Sequence, residues 1–174
     1  ESAMPPAERV NYFLSKLAAD PRGGSSKEWL EKLAKTEPVE SLRETVVTSM
    51  LSKALDPDFW YAGEAASVLL TWATKKHAEP LLALTKLTGH RANAVKSAAL
   101  RALAAIGDQR ALPIAVECIH ETGTKEAAMA VISRFAEHAQ EPLLESVKNE
   151  TDIWRRKATF EALAAVGNRE TLLT

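Results

Sequence analysis

Residues 95–106, VKSAALRALAAI, contain the pattern that decides the fold of this chain. Their apolar side chains recur at intervals of three and four residues, which places them on one face of an α-helix. That stripe consists of Val95, Ala98, Ala99, Ala102, Leu103 and Ile106. A glycine follows at position 107, where a helix commonly ends. The segment therefore predicts a helix with one buried face.

Three further copies of this stripe occur at nearly constant intervals. A shift of 33 residues toward the N-terminus gives Ala62, Ala65, Ala66, Leu69, Leu70 and Ala73. A shift of 29 toward the C-terminus gives Ala127, Ala128, Val131, Ile132 and Phe135, with Thr124 as the exception. A shift of 60 gives Ala158, Ala162, Leu163 and Val166, with Arg155 and Thr159 as the exceptions. A period of about 31 residues, with a short second helix after each copy, is typical of stacked helical pairs. The predicted fold class is all-α, an α-solenoid of stacked antiparallel helix pairs.

Composition and charge limit the classes of function. The 174 residues are 46% hydrophobic, which suffices for a sizeable core. The 22 basic and 23 acidic residues nearly balance, so the global attraction to polyanions of a dedicated nucleic-acid binder is missing. No apolar run approaches the roughly 20 residues that span a bilayer, and the start lacks a signal-peptide pattern. We expect no membrane contact from this segment and, by default, a cytoplasmic location.

The chain is expected to divide near its N-terminus. Residues 1–24 are predicted to form an N-terminal helix, over Pro5–Ala19, and a Gly-rich linker. Residues 25–174 are predicted to form the repeat domain, truncated at the C-terminus because the fourth copy breaks off at residues 172–174. We therefore expect the parent protein to have further repeats or domains.

Helix ends are also marked in the sequence. Ser25 with Glu28 resembles a capping box, and Asp56 with Pro57 suits the start of another helix. Second helices of the pairs are predicted to begin at prolines, at Glu37-Pro38, Glu79-Pro80, Leu112-Pro113 and Glu141-Pro142. Gly107 and Gly167 are predicted to end first helices in the left-handed conformation.

The segment from Val95 to Ala111, with its break at Gly107-Asp108, resembles the HEAT-like repeats related to those of the bilin lyases. Ile153 to Thr171 follows the same register, and the resemblance covers roughly residues 26–174. It implies an α-solenoid whose usual task is binding or scaffolding. Similar repeats occur in adaptors, cofactor-attachment enzymes and DNA glycosylases, so the resemblance specifies fold more than function.

Three cations occupy equivalent positions near the starts of successive first helices. Lys96, Lys125 and Arg156 are predicted to form a basic row along one edge, interrupted at Gly63. Because a cation near a helix N-terminus is mildly unfavourable, pairing with an acidic neighbour such as Asp108 or Asp152 is the favoured interpretation. Ligand binding is the alternative.

Aromatic residues also stand at first-helix starts. Phe59, Trp60 and Tyr61 are predicted to begin one first helix, and Trp154 begins the last. Three consecutive aromatic side chains cannot all face the core, so at least one should be exposed or lie under a loop. Packing against the preceding helix is the favoured interpretation, and Trp60, Tyr61 and Trp154 are the candidate partner-binding aromatics.

The other polar residues predict no catalytic or metal site. Cys118 and His120 lie two residues apart on a helix, so their side chains diverge. The positive charge of Lys75, Lys76 and His77 suits the end of a first helix. No zinc motif, phosphate loop or nucleophile elbow is present, and we expect neither an enzyme nor a cofactor.

The leading functional prediction is a non-catalytic protein or peptide interaction scaffold. Binding is expected on the concave side, where second helices present Lys86, Glu117, Glu145 and Lys148, or along the loop edge. The alternative is a nucleic-acid-binding domain with a basic edge, formed by Lys96, Lys125 and Arg156 with Arg91, Arg101 and Arg110. An enzyme subunit resembling the bilin lyases is a third possibility.

Overall fold

A computed structural model describes residues 4–19, 24–89 and 92–167 of the chain. These residues form ten α-helices and two short 3-10 helices, without strands. The α-helices are α1 (Pro6–Ala19), α2 (Ser25–Ala34), α3 (Arg43–Leu55), α4 (Ala62–Trp72), α5 (Ala78–Thr85), α6 (Ala92–Ile106), α7 (Ala111–Cys118), α8 (Lys125–Arg134), α9 (Ala136–Asn149) and α10 (Ile153–Val166). The 3-10 helices are Glu40–Leu42 and Lys75–His77. The predicted all-α class is confirmed.

The helices pack in two layers that follow the order of the chain. The even-numbered helices α2, α4, α6, α8 and α10 contact one another in succession. Each odd-numbered helix from α3 to α9 packs on the even-numbered helix that follows it. The main contacts among the described helices join neighbours in the stack, as in a solenoid, so the predicted stacking of antiparallel helix pairs is confirmed.

Small residues let α4 and α6 approach closely. A Cβ atom at Gly63 would lie 2.8 Å from the Cβ of Ala94, closer than real contacts of this kind. The basic row therefore stops at Gly63 because this position has no room for a side chain. Leu103 on α6 is fully buried in the hydrophobic core, as predicted.

One position of the repeated stripe was predicted wrongly. Leu70 is 43% exposed, whereas Val68 and Trp72 are fully buried. The Trp72 Nε1 atom donates a hydrogen bond to the Leu33 carbonyl at 3.1 Å. The buried face of α4 therefore includes Val68 and Trp72, because the indole ring packs in the core and its N–H group needs a hydrogen-bond acceptor there.

Several predicted helix starts are wrong by a few residues. The N-cap of α2 is Gly24, without a side-chain hydrogen bond, so Ser25 is helical and forms no capping box. Pro38 precedes the 3-10 helix, and Pro142 lies inside α9, which begins at Ala136. Pro80 and Pro113 do lie in the first turns of α5 and α7, where the missing amide hydrogen has no helical partner to lose.

The two glycines at first-helix ends behave differently. Gly107 has φ +77°, and the amides of Gly107 and Asp108 donate to the Ala104 and Leu103 carbonyls at 3.1 and 3.0 Å. The left-handed glycine is confirmed here, and the two hydrogen bonds form a Schellman motif. Gly167 is extended with φ −75°, and its amide still donates to Leu163, so the left-handed prediction there is wrong.

The N-terminal helix packs on the first helix of the repeats. Val10, Phe13 and Leu17 are buried, and the Phe13 ring stacks on Trp29 with centroids 5.9 Å apart. Most of the predicted linker, residues 20–23, and the predicted truncation at residues 172–174 lie outside the described residues. The boundary at residue 24 stays a prediction.

Candidate functional site

All six candidate partner-binding residues lie along one edge of the stack, here called the loop edge. At this edge α3, α5, α7 and α9 end, and α4, α6, α8 and α10 begin. Trp60 and Tyr61 precede α4, Lys96 is in α6, and Lys125 begins α8. Trp154 and Arg156 are in the first turn of α10. The antiparallel pairing of short helices brings these distant segments together.

The three aromatic residues before α4 form part of a turn, and not the helix start that the sequence predicts. The Asp56 Oδ1 atom accepts the Asp58 amide at 2.9 Å, and the Phe59 amide donates to the Asp56 carbonyl at 3.2 Å. Aspartate side chains commonly divert the backbone into such turns. Helix α4 therefore begins only at Ala62.

Each aromatic side chain has a different environment. Phe59 is buried, and its ring centroid lies 6.2 Å from that of Tyr61. The Lys53 Nζ atom lies 4.8 Å from the centroid of the Phe59 ring. Burial lowers the pKa of Lys53. Trp60 is 68% exposed, which confirms that the three side chains do not all face the core. Tyr61 packs partly against the core, whereas Trp154 is 76% exposed with the Lys157 Nζ atom 6.0 Å from its ring.

A pocket of about 310 Å³ opens at the loop edge beside this turn. Its lining comes from the end of α3, the turn, the start of α4, the connection between α5 and α6, and the start of α6. The lining residues are Ala54, Leu55, Asp56, Pro57, Ala62, Leu87, Thr88, Gly89, Ala92 and Val95. Gly89 has φ +108°, a conformation that favours glycine. Sequence reasoning missed this pocket because no single segment contains it.

The basic row is largely engaged by the chain itself. The Lys125 Nζ atom lies 3.1 Å from Glu161 Oε2, and the Arg156 guanidinium donates to the Glu150 carbonyl, from Nε at 2.8 Å. Lys96 is half-buried and forms no ion pair with a described residue. The expected pairing is confirmed for Lys125, but the expected partners are wrong.

Asp108 and Asp152 have other partners than the basic row. The Asp152 Oδ1 atom accepts the amides of Trp154 and Arg155 at 2.9 Å each, so this residue caps α10. Asp108 binds Arg110, with Nη2 and Oδ2 2.7 Å apart, and Arg110 also pairs with Glu79. These contacts lower the pKa of Asp108 and raise that of Arg110.

The further cations of the nucleic-acid alternative are likewise held by carboxylates where the structure describes them. Arg101 Nη2 lies 3.2 Å from Glu126 Oε2, and Arg110 has the two partners above. Arg91 lies outside the described residues. The alternative therefore stays a prediction, and these pairs add no support to it.

The charged residues that line the cleft between α7 and α9 are mainly acidic. Glu117 and Glu145, which the sequence places on a partner-facing surface, both line it. Glu121 and Glu150 line it too, and Arg155 is the cation among its described lining residues. Lys86 and Lys148, the cations that the sequence places on the same surface, do not line this cleft.

A buried histidine joins α3 to the start of α5, and sequence reasoning missed it. His77 Nε2 lies 3.0 Å from Glu44 Oε1, and His77 Nδ1 accepts the Thr74 amide at 2.9 Å. The Lys76 ammonium also binds Glu44, and the hydrogen bonds from Lys76 and His77 lower the pKa of Glu44. Residues 75–77 thus open the second helix of a pair, as the capping-box spacing of Thr74 and His77 indicates.

Two kinds of feature are absent from the described part of the chain. It contains no group of three or more His, Cys, Asp or Glu side chains that could hold a metal ion. None of its helices is long and apolar enough to cross a bilayer.

Comparison with known proteins agrees with this architecture. The family model of HEAT repeats matches residues 48–133, from within α3 into the last turn of α8. Residues 48–133 of the chain are HEAT repeats. The match includes the pocket, Trp60, Lys96 and Lys125, and it is to HEAT repeats in general, so the specific resemblance to bilin lyases stays a prediction. No curated protein matches the chain. HEAT repeats typically act as protein-interaction scaffolds and are generally non-catalytic.

Proposed function

We propose that this HEAT-repeat segment is a non-catalytic scaffold that binds a protein or peptide at the loop edge. The observation that carries the proposal is the apolar pocket between the first described repeats, with Leu55 50% exposed on its lining. Exposed apolar surface beside a concave, mostly apolar pocket is typical of a binding site.

The aromatic residues support the same edge. Trp60 stands in the turn whose Pro57 lines the pocket, and burial of Phe59 anchors that turn. Trp154 is an exposed aromatic residue at the same edge of α10. Tryptophan is among the residues that contribute most to binding when a partner covers it. We assign Trp60 and the pocket to the primary contact and Trp154 to a second contact.

The basic row is given a supporting role. Lys125 and Arg156 already have partners within the chain, whereas Lys96 is half-buried on α6. A partner would exchange these contacts for its own, which contributes little at an exposed site. Tyr61 holds the base of the turn through its contact with Phe59.

Selection of a displayed random-peptide library on the chain tests the proposal. Enriched peptides should bind the native chain, and Leu55→Asp should weaken them at least about tenfold, because it places a charge on an apolar lining. Trp60→Ala should weaken the same peptides. Leu70→Asp is the matched control, since Leu70 is similarly exposed but does not line the pocket.

Two results would contradict this site. If Leu55→Asp and Leu70→Asp reduce the affinity for the enriched peptides equally, the peptides do not bind in the pocket. Repeated selection without enrichment would argue against peptide binding by this segment. Circular dichroism of each variant ensures that a loss of affinity is not a loss of fold.

A further inference from the structure

The chemistry of the pocket wall indicates what kind of segment it accepts. Of the described residues that line it, Asp56 alone carries a charge, and Asp58 follows in the same exposed turn. The other lining residues are apolar, apart from Thr88 and Gly89. An apolar pocket with carboxylates on one side suits an apolar side chain followed or preceded by a cation.

Both carboxylates are available to a partner. Asp56 Oδ1 accepts the Asp58 amide, which leaves Oδ2, and neither aspartate forms an ion pair with a described residue. The neighbouring Lys53 lies over the Phe59 ring, and the charge of Asp56 acts on its ammonium without a direct ion pair. By contrast, Lys125, Arg101 and Arg110 at other places are neutralised by carboxylates.

The turn that carries these carboxylates is held in place. Phe59 is buried beneath it, the Phe59 amide donates to the Asp56 carbonyl, and the Tyr61 ring meets Phe59 edge to face. A held turn presents its charges without a further ordering cost when a partner binds. The size of the pocket, about 310 Å³, lies at the low end of the range for ligand sites and suits one or two side chains.

We propose that this pocket binds a short peptide segment in which apolar side chains are flanked by lysine or arginine, with the apolar group in the pocket and the cations at Asp56 and Asp58. This rests on the proposed function, because it names the partner class of the same site.

Three synthetic peptides test the proposal. They are acetylated and amidated hexapeptides that share a central Leu-Leu pair and carry Lys-Lys, Ser-Ser or Glu-Glu on each side. At low salt, the lysine peptide should bind the native chain roughly three- to tenfold more tightly than the serine peptide, and the glutamate peptide more weakly still. Raising the salt concentration should reduce these differences.

The double variant Asp56→Asn/Asp58→Asn should abolish the preference for lysine without abolishing binding of the serine peptide. Asparagine keeps the Oδ1 acceptor, so the turn is expected to persist. The control is Glu137→Gln/Glu141→Gln, which removes the same charge from exposed positions of α9 away from the pocket.

The outcomes separate this inference from the proposed function. Equal affinities for the three peptides, all lost in Leu55→Asp, would overturn the charge preference and leave the pocket as a binding site. A preference for the glutamate peptide would overturn it in the same way. If none of the three binds, the basic-apolar partner class is overturned, and the library selection decides whether the pocket binds another class.

Discussion

At the scale of single residues, the closest approach in the fold occurs at Gly63. Replacement by alanine should destabilise the chain by about 1–3 kcal/mol, because the new methyl group would meet Ala94 and force α4 and α6 apart. The better helix propensity of alanine offsets this by at most about 1 kcal/mol. Urea unfolding of Gly63→Ala and Gly24→Ala gives the test, since a Cβ atom at Gly24 meets nothing within 4 Å. Equal stabilities would show that the helices do not approach so closely.

Core packing provides a second prediction for a single residue. Leu103→Ala should cost about 2–5 kcal/mol, because it leaves a cavity in the hydrophobic core beside α6. Leu70→Ala is the matched control and should change the free energy of unfolding by less than about 1 kcal/mol. If chemical unfolding shows similar losses for both variants, the assignment of the buried faces is wrong.

At the scale of helices, the joint between α3 and α5 predicts a dependence on pH. The pKa of Glu44 is lowered in the folded chain by Lys76 and His77, so its contribution to stability is present above the ordinary pKa of a glutamate. That contribution is lost as the pH falls through the lowered pKa and Glu44 becomes protonated. The native chain should therefore lose more stability below about pH 4.5 than Glu44→Gln does.

The test is to measure the unfolding midpoint of the native chain and of Glu44→Gln at several pH values between neutral and acidic. Glu31→Gln is the control, because Glu31 is exposed and forms no ion pair with a described residue. The native chain and the Glu31→Gln variant should show the same acid dependence. If Glu44→Gln shows the same acid dependence as these two proteins, Glu44 does not stabilise the contact between α3 and the start of α5.

The sequence predicts the helices and their order because one buried stripe recurs with a helical period. It does not predict where each helix begins when a side chain competes for the backbone, as Asp56 does ahead of α4. It also misplaces Leu70, because the orientation of α4 depends on the bulk and hydrogen bond of Trp72 against α2. The spacing of apolar residues locates the edge of a buried helix face only to within about one residue.

The candidate site was predicted only in part, for a similar reason. Equivalent positions in successive repeats locate the loop edge, so Trp60, Lys125 and Trp154 could be placed there from spacing. The pocket needs five segments to meet, and the partners of the cations depend on side chains far apart in sequence, such as Lys125 and Glu161. Spacing alone contains no information on either.

At the scale of the whole molecule, stability should decrease from the middle of the stack toward α10. Helices α6 and α10 have nearly equal lengths, but α6 buries eight residues and α10 buries three. Leu100 on α6 is fully buried, whereas Phe160, which occupies the equivalent position 60 residues later, is 48% exposed. Because each repeat is stabilised by its neighbours, α10 should open at a smaller free-energy cost than α6.

Hydrogen exchange followed by mass spectrometry measures this difference directly. Amides of α10 should exchange at least about tenfold faster than those of α6, which corresponds to roughly 1.4 kcal/mol or more in opening free energy. Phe160→Ala should leave exchange in α6 unchanged, while Leu100→Ala should accelerate it, because only the second side chain is enclosed. Equal protection of the two helices would mean that the chain opens as one cooperative unit, and the description of stability as a sum over neighbouring repeats would fail for this protein.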